Sequence, residues 1–290
     1  MINIQKNFSL KNKNTLGIEC IAEYFYEIKE ENELLELISF ANEYNLDINI
    51  LGLGSNVLLP SLGLKGVTII LKNQKFERNN DLVVLGAGNI LSATILQLAK
   101  ENYDLFHLAG YPSTIGGAVT GNAGTQGVGI GDFLESAIVF DLKTEKKEIW
   151  NKEDFKFTYR HSELKNKRNK IFWEGKFSFP KGENVLEKIT SFIKERSQKQ
   201  PKGKSSGCFF KNPLNDKNNP NKYSAGYLIE QCGLKGTQIG DAKISEIHAN
   251  FFINVGNASS EDFLRLIKLA KEKVKVKFDI ELELEVRVIN

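Results

Sequence analysis

The stretch AGYPSTIGGAVTGNAGTQGVGIGD, residues 109–132, holds eight glycines in twenty-four positions. Glycine at this density indicates a backbone that adopts left-handed dihedral angles or closely approaches a flat or charged group. The stretch follows a predicted strand, LVVLGAG (82–88), and a predicted helix, LSATILQLAKEN (91–102). On its own it could also be a set of glycine-rich β-turns without a ligand, so a second feature is needed to decide.

A second glycine loop, LGLGSN (51–56), follows the predicted strand LDINIL (46–51). It is not a G-x-G-x-x-G dinucleotide fingerprint, because Val57 occupies the third glycine position and no helix follows. Alone, the loop is more typical of a turn between strands. Both loops carry small hydroxyl or amide residues, namely Ser55, Asn56, Ser113, Thr114 and Asn122. Together they can present many backbone N–H groups to a diphosphate, which favours a phosphate-bearing cofactor such as FAD.

The composition is that of a soluble globular chain, with 290 residues, 41% hydrophobic and 26% charged. A net charge of +3 gives no support for a nucleic-acid or membrane-surface partner. The three scattered cysteines and three histidines show neither a disulfide framework nor metal-ligand spacing, so no metal is predicted. The start of the chain lacks the apolar stretch of a signal peptide, and a reducing cytoplasm is the expected compartment.

Helices and strands are predicted along the rest of the chain. Apolar residues at helical spacing predict further helices over 31–44, 183–199 and 259–274. Ser224 at the start and Gly233 at the end predict a short helix over 224–233. The closing FDIELELEVRVI (278–289) alternates strictly and predicts a strand, with Glu281, Glu283, Glu285 and Arg287 on its polar face. The stretch QPKGKSSG (200–207) is typical of a connection between domains.

Seven motifs, taken in order, resemble those of the UDP-N-acetylenolpyruvoylglucosamine reductase family of peptidoglycan synthesis. They are NTLGI (14–18), LGLGSNVLL (51–59), AGYPSTIGGAVTGNAG (109–124), YRHSELK (159–165), SSGCFFKNP (205–213), AGYLIEQCGLKGTQIGDAKISEIHANFFIN (225–254) and ELEVR (283–287). The resemblance implies an α+β chain, with a two-lobed FAD-binding fold of the vanillyl-alcohol oxidase (PCMH) type and a C-terminal α/β substrate-binding domain. The implied domains are 1–73 and 74–198 for the two FAD-binding lobes, and 199–290 for the substrate. The short region 164–182 implies the compact subclass of the family.

The resemblance also implies a reaction. NADPH would reduce FAD, which would reduce UDP-N-acetylglucosamine enolpyruvate to UDP-N-acetylmuramate. Reduction of an enolpyruvyl double bond adds a hydride at C3 and a proton at C2, and only a cofactor can supply the hydride, from flavin N5. An acid must protonate C2, and the enolate that develops on the substrate carboxylate needs a cation or acid beside it.

Three positions match the family's catalytic set. Arg160 would bind the substrate carboxylate with its planar fork, and Glu285 would be a protonated acid beside it. On pattern alone, Glu285 belongs to a solvated face with Glu281 and Glu283. Cys208 stands where most relatives have serine, the proton donor to C2, and a thiol is mostly protonated at neutral pH. A generic cysteine is more often a buried small side chain, and only the surrounding motif favours chemistry.

The resemblance carries over binding residues as well. The implied cofactor contacts are Gly52, Leu53, Gly54, Ser55, Asn56, Tyr111, Pro112, Ser113, Gly116, Gly117, Gly121, Asn122 and Arg287. The implied UDP-sugar contacts are Tyr159, Lys211, Asn212 and His248. Without the resemblance, His248 is more typical of a structural histidine and Arg287 of an ion pair with a neighbouring glutamate.

We therefore predict a cytoplasmic flavoenzyme, monomeric or weakly associating, and two alternatives stay open. Another FAD oxidoreductase of the same superfamily, such as an alcohol oxidase, would consume oxygen without a UDP-sugar. A non-catalytic UDP-sugar-binding module would be colourless, and the retained Arg160, Cys208 and Glu285 argue against it.

Overall fold

The chain forms two compact units in a computed structural model that describes residues 2–79, 82–213 and 223–289. Unit 1 comprises Met1–Lys6, Glu23–Leu53 and Lys65–Glu195, and unit 2 comprises Asn7–Ala22, Gly54–Leu64 and Arg196–Asn290. The chain passes from one unit to the other within the first glycine loop, between Leu53 and Gly54. The division into 1–73, 74–198 and 199–290 concerns which part binds which ligand, and it stays a prediction.

Six α-helices lie within the described residues. They are α1 (Glu31–Glu43), α2 (Leu91–Ala99), α3 (Ile115–Gly121), α4 (Val185–Lys199), α5 (Ala225–Gln231) and α6 (Ser260–Phe278). All but α3 were predicted from the sequence. The short α3 was not, because its sequence IGGAVTG holds three glycines, which are poor helix formers. Across the described ranges, no helix combines the length and apolar character that a bilayer crossing requires.

Within the residues that the structure describes, the strands form three larger sheets and two short pairs. They are β1 (Gln5–Ser9), β2 (Ile21–Ile28), β3 (Ile48–Leu51), β4 (Val57–Leu58), β5 (Leu64–Leu71), β6 (Phe76–Asn79), β7 (Leu82–Gly86), β8 (Gly124–Thr125), β9 (Val128–Gly129), β10 (Leu134–Asp141), β11 (Lys147–Asn151), β12 (Lys170–Ser178), β13 (Lys204–Cys208), β14 (Gln238–Ile239), β15 (Ala242–Ile244), β16 (Phe251–Asn254) and β17 (Arg287–Val288). The larger sheets have the strand orders β1-β2-β5-β3, β11-β10-β12-β7-β6 and β13-β16-β15-β14. The pairing of β3 with β5 is parallel and that of β10 with β12 antiparallel, which confirms an α+β chain.

Each unit has its own hydrophobic core. In unit 1, one face of α1 and the nearly continuous apolar run of β5 are buried, as expected for a strand covered on both faces. In unit 2, Phe209 stacks on Phe252 and Phe263, with ring centroids 4.4 and 5.6 Å apart. All three rings are fully buried. The residue directly after Cys208 is therefore an anchor of the unit 2 core.

The closing segment differs from the strand predicted over 278–289. Helix α6 continues to Phe278, and Asp279 ends it in the left-handed conformation, with φ +55. Among the described residues 279–289, Leu284 forms an isolated bridge with Phe210, and β17 is the one strand, paired in parallel with β4. The strand prediction is wrong for most of this length. The alternating sequence reflects burial, since Leu282 is buried between exposed glutamates. A side chain can be buried without its backbone pairing with a neighbouring strand.

Unit 1 contains a largely buried ion cluster where β10 ends. Lys170 Nζ lies 2.7 Å from Asp141 Oδ2, and the two side chains are 12% and 10% exposed. Lys170 also pairs with Glu148. Burial acts to raise the pKa of Asp141, but hydrogen bonds from Lys170, two backbone N–H groups and Asn169 outweigh it. They hold the pKa of Asp141 well below its usual range.

We expect Asp141→Asn to lower the free energy of unfolding by about 1–3 kcal/mol at neutral pH, because it weakens the partner of a buried ammonium. The folded carboxyl has the lowered pKa, so its contribution is present above the unfolded pKa of about 3.9 and is lost as the pH falls toward the folded value. Urea unfolding at decreasing pH should therefore show the two stabilities converging. Glu272→Gln, which removes the exposed 3.9 Å pair with Lys268, is the control and should change stability by less than about 1 kcal/mol. Equal effects of the two substitutions would contradict a stabilising role for the cluster.

Candidate functional site

Arg160 lies in a tight turn of unit 1. The turn is closed by Thr158 and His161, whose backbones exchange two hydrogen bonds of 3.1 Å. Arg160 has φ +56, in the left-handed region that such turns usually reserve for glycine or asparagine. Its guanidinium lies 5.1 Å from the centroid of the Tyr111 ring, and Nη2 donates a 3.4 Å hydrogen bond to Tyr111 Oη. A left-handed arginine motivates the hypothesis that its side chain is kept for function.

The end of α3 holds both sides of this turn. Asn122 Nδ2 donates to the carbonyl oxygen of Thr158 at 2.9 Å. On the other side, the buried Ser162 donates from Oγ to the carbonyl oxygen of Thr120 at 2.8 Å. Thr120 and Ser162 were not predicted as site residues, although the serine of YRHS could have indicated Ser162. The predicted UDP-sugar contact Tyr159 lies in the same turn and is exposed.

The predicted cofactor glycines of 109–132 differ in what surrounds them. A Cβ added at Gly116 would lie 3.0 Å from Ala87 Cβ, and one at Gly117 would lie 2.9 Å from Ser113 Oγ. The N–H of Gly117 also donates to Thr114 Oγ1, the cap of α3, at 3.2 Å. Packing against Ala87 thus favours glycine at position 116, whereas the rotatable Ser113 hydroxyl constrains position 117 only weakly. At Gly121, by contrast, no described atom outside its chain neighbours and its own helix backbone lies within 4 Å of the Cβ position, which leaves room for a flat group.

The first glycine loop meets different partners in each unit. In unit 1, a Cβ added at Gly52 would lie 3.0 Å from Thr114 Oγ1, so this end of the loop contacts the second glycine stretch, as expected. In unit 2, Gly54 has φ +63, and an added Cβ would lie 2.2 Å from the carbonyl oxygen of Lys13. The Thr15 N–H donates to the carbonyl oxygen of Gly54 at 3.1 Å. Gly54 is therefore required by the backbone of NTLGI, with or without a cofactor.

Cys208 and Glu285 lie on adjoining segments of unit 2. The Glu285 N–H donates to the carbonyl oxygen of Phe209 at 2.9 Å, one residue beyond Cys208. Glu281 and Glu283 are exposed, as the solvated-face interpretation expects, whereas Glu285 is half-buried. The structure thus brings together two of the three predicted catalytic residues within unit 2, while Arg160 lies in unit 1.

Two predicted cofactor contacts lie beside Glu285. Asn56 Nδ2 donates to the carbonyl oxygen of Glu285 at 3.1 Å. The Arg287 N–H donates to the carbonyl oxygen of Asn56 at 3.0 Å, and the Arg287 side chain is exposed. The second half of the first glycine loop and the acid-bearing segment are therefore one hydrogen-bonded group.

The predicted UDP-sugar contacts of unit 2 already have protein partners. Burial lowers the pKa of His248, and its Nδ1 accepts the Asn250 N–H at 3.2 Å, so the neutral ring carries its proton on Nε2. The Lys211 ammonium pairs with Glu283. Asn212 Oδ1 accepts the N–H of Ala225 at 3.1 Å, at the start of α5. Backbone partners thus position His248 and Asn212, whereas the partner of Lys211 is an exposed carboxylate. Within the described ranges, no cluster of His, Cys, Asp and Glu side chains could hold a metal ion.

Two family models match the chain. Residues 198–289 match the model described as the C-terminal domain of UDP-N-acetylenolpyruvoylglucosamine reductase. Residues 22–145 match the model of an FAD binding domain, and this segment contains both glycine loops. The predicted order, an FAD-binding part followed by a C-terminal domain of this family, is confirmed.

Similar proteins are known along the whole length of the chain. A UDP-N-acetylenolpyruvoylglucosamine reductase of Prochlorococcus marinus is 36% identical over 99% of this chain and 97% of its own length. One from Chloroflexus aurantiacus is 36% identical over 92% of this chain and 91% of its own. The crystal structure of UDP-N-acetylenolpyruvylglucosamine reductase from Thermus caldophilus has a TM-score of 0.82 and 30% identity, and the match covers 100% of this chain and 99% of that one. The chain belongs to the UDP-N-acetylenolpyruvoylglucosamine reductase family.

Proposed function

We propose that this protein is an FAD-dependent oxidoreductase that uses NADPH to reduce UDP-N-acetylglucosamine enolpyruvate to UDP-N-acetylmuramate in peptidoglycan synthesis. The observation that carries the proposal is the placement of Cys208 and Glu285 on hydrogen-bonded neighbouring segments, beside Asn56 of a predicted cofactor loop. Addition of a hydride and a proton to a double bond requires a proton donor and an acid of this kind near the cofactor. The reductase names of the relatives support the same reaction. The proposal includes a cytoplasmic monomer without a nucleic-acid or membrane partner.

FAD fits the residues present. Gly121 offers an open backbone surface, and Gly52 contacts the second glycine stretch through Thr114. In unit 1 the candidate contacts are Gly52, Leu53, Tyr111, Pro112, Ser113, Gly116, Gly117, Gly121 and Asn122. In unit 2 they are Gly54, Ser55, Asn56 and Arg287. When bound, FAD supplies the hydride that no side chain can donate, and NADPH restores it.

Each predicted catalytic residue has its own role. Arg160 would bind the substrate carboxylate, and its charge would stabilise the negative charge that develops there. A protonated Glu285 would donate a hydrogen bond to the same carboxylate. Cys208 would transfer its thiol proton to C2, and the resulting thiolate would regain a proton from solvent. Tyr159, Lys211, Asn212 and His248 are the candidate contacts of the UDP-sugar.

The colour of the purified protein tests the proposal. Loaded with FAD, the protein should be yellow, and NADPH should bleach it under anaerobic conditions. The enolpyruvyl sugar nucleotide should then restore the colour without oxygen. Colour that returned only with oxygen would contradict the proposal and favour an oxidase of the same superfamily. A protein that took up no FAD would favour the binding module.

Gly121 allows a test of the cofactor surface that spares the fold. Because the Cβ position is open, the first side-chain atom meets no clash, and we expect Gly121→Leu to fold and to unfold cooperatively in urea. We expect its flavin absorbance per protein to fall several-fold, since the new side chain occupies the space of the cofactor. Ser191→Leu, at an exposed position of α4 in the same unit, is the control and should retain its flavin. Full flavin content in a folded Gly121→Leu would remove this glycine from the cofactor surface.

A further inference from the structure

Strand β13 carries a one-residue bulge immediately before Cys208. Ser205 pairs with Ile253 of β16, and the next paired residue of β13 is Cys208, opposite Phe251. Two residues of β13, Ser206 and Gly207, therefore stand opposite a single residue of β16. The prediction of a connection over 200–207 is thus wrong for its second half, which is part of this strand.

Gly207 is required by the backbone of the bulge. Its φ is +77, in the left-handed region that other residues rarely adopt. Its N–H donates to Ser205 Oγ at 3.2 Å, which closes the bulge from the N-terminal side. No atom lies within 4 Å of the position that a Cβ would occupy, so space is not the constraint. A side chain at this position would strain only the dihedral angle.

The bulge decides which face of the strand presents Cys208. Side chains alternate with a period of two along a strand, so one inserted residue reverses the faces of all residues that follow. In an unbroken ladder, position 207 would stand opposite Phe251, and the side chain at 208 would point to the other face.

The chain after Cys208 is fixed and cannot compensate for a change of register. The Phe209 N–H donates to the carbonyl oxygen of Asn250 at 2.9 Å. The buried side chain of Asn250 accepts the Phe210 N–H at 2.9 Å and donates to the carbonyl oxygen of Phe210 at 2.8 Å. Cys208 therefore sits between the bulge and a clamped segment, and the bulge is the part that can change its direction.

We propose that this bulge aims the Cys208 thiol and that Gly207 is a positioning residue for proton transfer. The inference rests on the proposed function, in which the S–H bond of Cys208 breaks as the C2–H bond forms. Bulges beside reacting centres commonly redirect a side chain. A reacting group displaced by about 1 Å can slow a reaction about a hundredfold.

Gly207→Ala in the full-length, FAD-loaded protein tests the proposal. We expect reduction of the flavin by NADPH at the wild-type rate, and reoxidation by the enolpyruvyl sugar nucleotide to be about ten- to a hundredfold slower. Gly207→Asn should recover much of the rate, because asparagine tolerates the left-handed region. In protein without substrate, the alkylation rate of Cys208 by iodoacetamide, followed by mass spectrometry, should change in the alanine variant and return toward wild type in the asparagine variant.

Gly233→Ala is the matched control. Gly233 follows α5 in the same unit, with φ +73 and an open Cβ position, so alanine imposes the same kind of strain away from β13. Wild-type reoxidation and alkylation in Gly207→Ala would overturn the proposal, as would equal slowing in Gly233→Ala. Cys208→Ala is measured alongside these variants. If it reoxidises at the wild-type rate, the proposed function of Cys208 fails, and alkylation alone then decides whether the bulge aims the thiol.

Discussion

Cys208→Ala should be reduced by NADPH at the wild-type rate and be reoxidised by the enolpyruvyl sugar nucleotide about 10²–10⁴-fold more slowly. In the proposed reaction, the first half-reaction would need no side-chain acid at position 208. The second half-reaction would need a proton for C2, which alanine cannot give. Stopped-flow absorbance of the flavin separates the two steps.

Cys208→Ser is the matched control, because a hydroxyl can donate a proton from the same position and serine is the residue that the family resemblance implies there. It should retain substantial turnover. Alkylation should inactivate the wild type and spare the serine variant. Cys20 does not confuse this comparison, because burial, with a contribution from Glu19, raises its pKa to about 11 and keeps the thiol protonated. Wild-type reoxidation by Cys208→Ala would refute the assignment of Cys208 as proton donor.

Much of the fold could be predicted because apolar spacing reflects burial directly. The stripe of Phe263, Leu266, Ile267, Ala270 and Val274 is buried along α6. Prediction from apolar spacing failed where a segment is buried in alternation without forming the hydrogen bonds of a strand. Burial alternates along the closing segment, yet most of its backbone hydrogen bonds lie outside any strand ladder. One of them joins the Glu285 N–H to the carbonyl oxygen of Phe209. Helix α3 was missed for a different reason, because its three glycines lower the helix propensity of its sequence.

The sequence predicted which residues belong to the candidate site, but not how their backbones and side chains are oriented. Motif resemblance indicated Arg160, Cys208 and Glu285, but no pattern in YRHS shows that Arg160 takes a left-handed angle. Likewise, SSGCFF does not reveal a bulge, because a bulge is a relation to a partner strand that lies about forty residues away along the chain. The local sequence identifies the candidate side chains, whereas pairing with distant segments determines their direction.

Arg160→Gly should abolish most turnover without destabilising the protein, and it is the variant in which function and stability should separate most clearly. Glycine relieves a left-handed angle that costs about 1–2 kcal/mol for other residues, and it loses the contact with the Tyr111 ring, worth about 0.5–1 kcal/mol. Glycine also has more backbone freedom in the unfolded chain, which lowers the free energy of unfolding by about another 0.5–1 kcal/mol. The free energy of unfolding should therefore stay within about 1 kcal/mol of wild type. Turnover should fall about 10²–10³-fold, since in the proposed mechanism this variant lacks the cation that would stabilise the developing enolate.

Three further variants separate the side chain of Arg160 from its backbone. Arg160→Ala keeps the strained angle and loses the guanidinium, so it should be as inactive as the glycine variant but less stable, by about 1 kcal/mol. Arg160→Lys keeps a charge and loses the planar fork, so it should retain intermediate activity. Lys156→Gly is the matched control, because Lys156 is an exposed residue of the same unit with φ +46 and lies outside the predicted site. Its stability should stay the same or rise, with kcat and kcat/KM unchanged. A fully active Arg160→Gly would mean that this arginine does not stabilise the enolate, whereas losses of kcat and kcat/KM together would indicate an interaction made in the transition state.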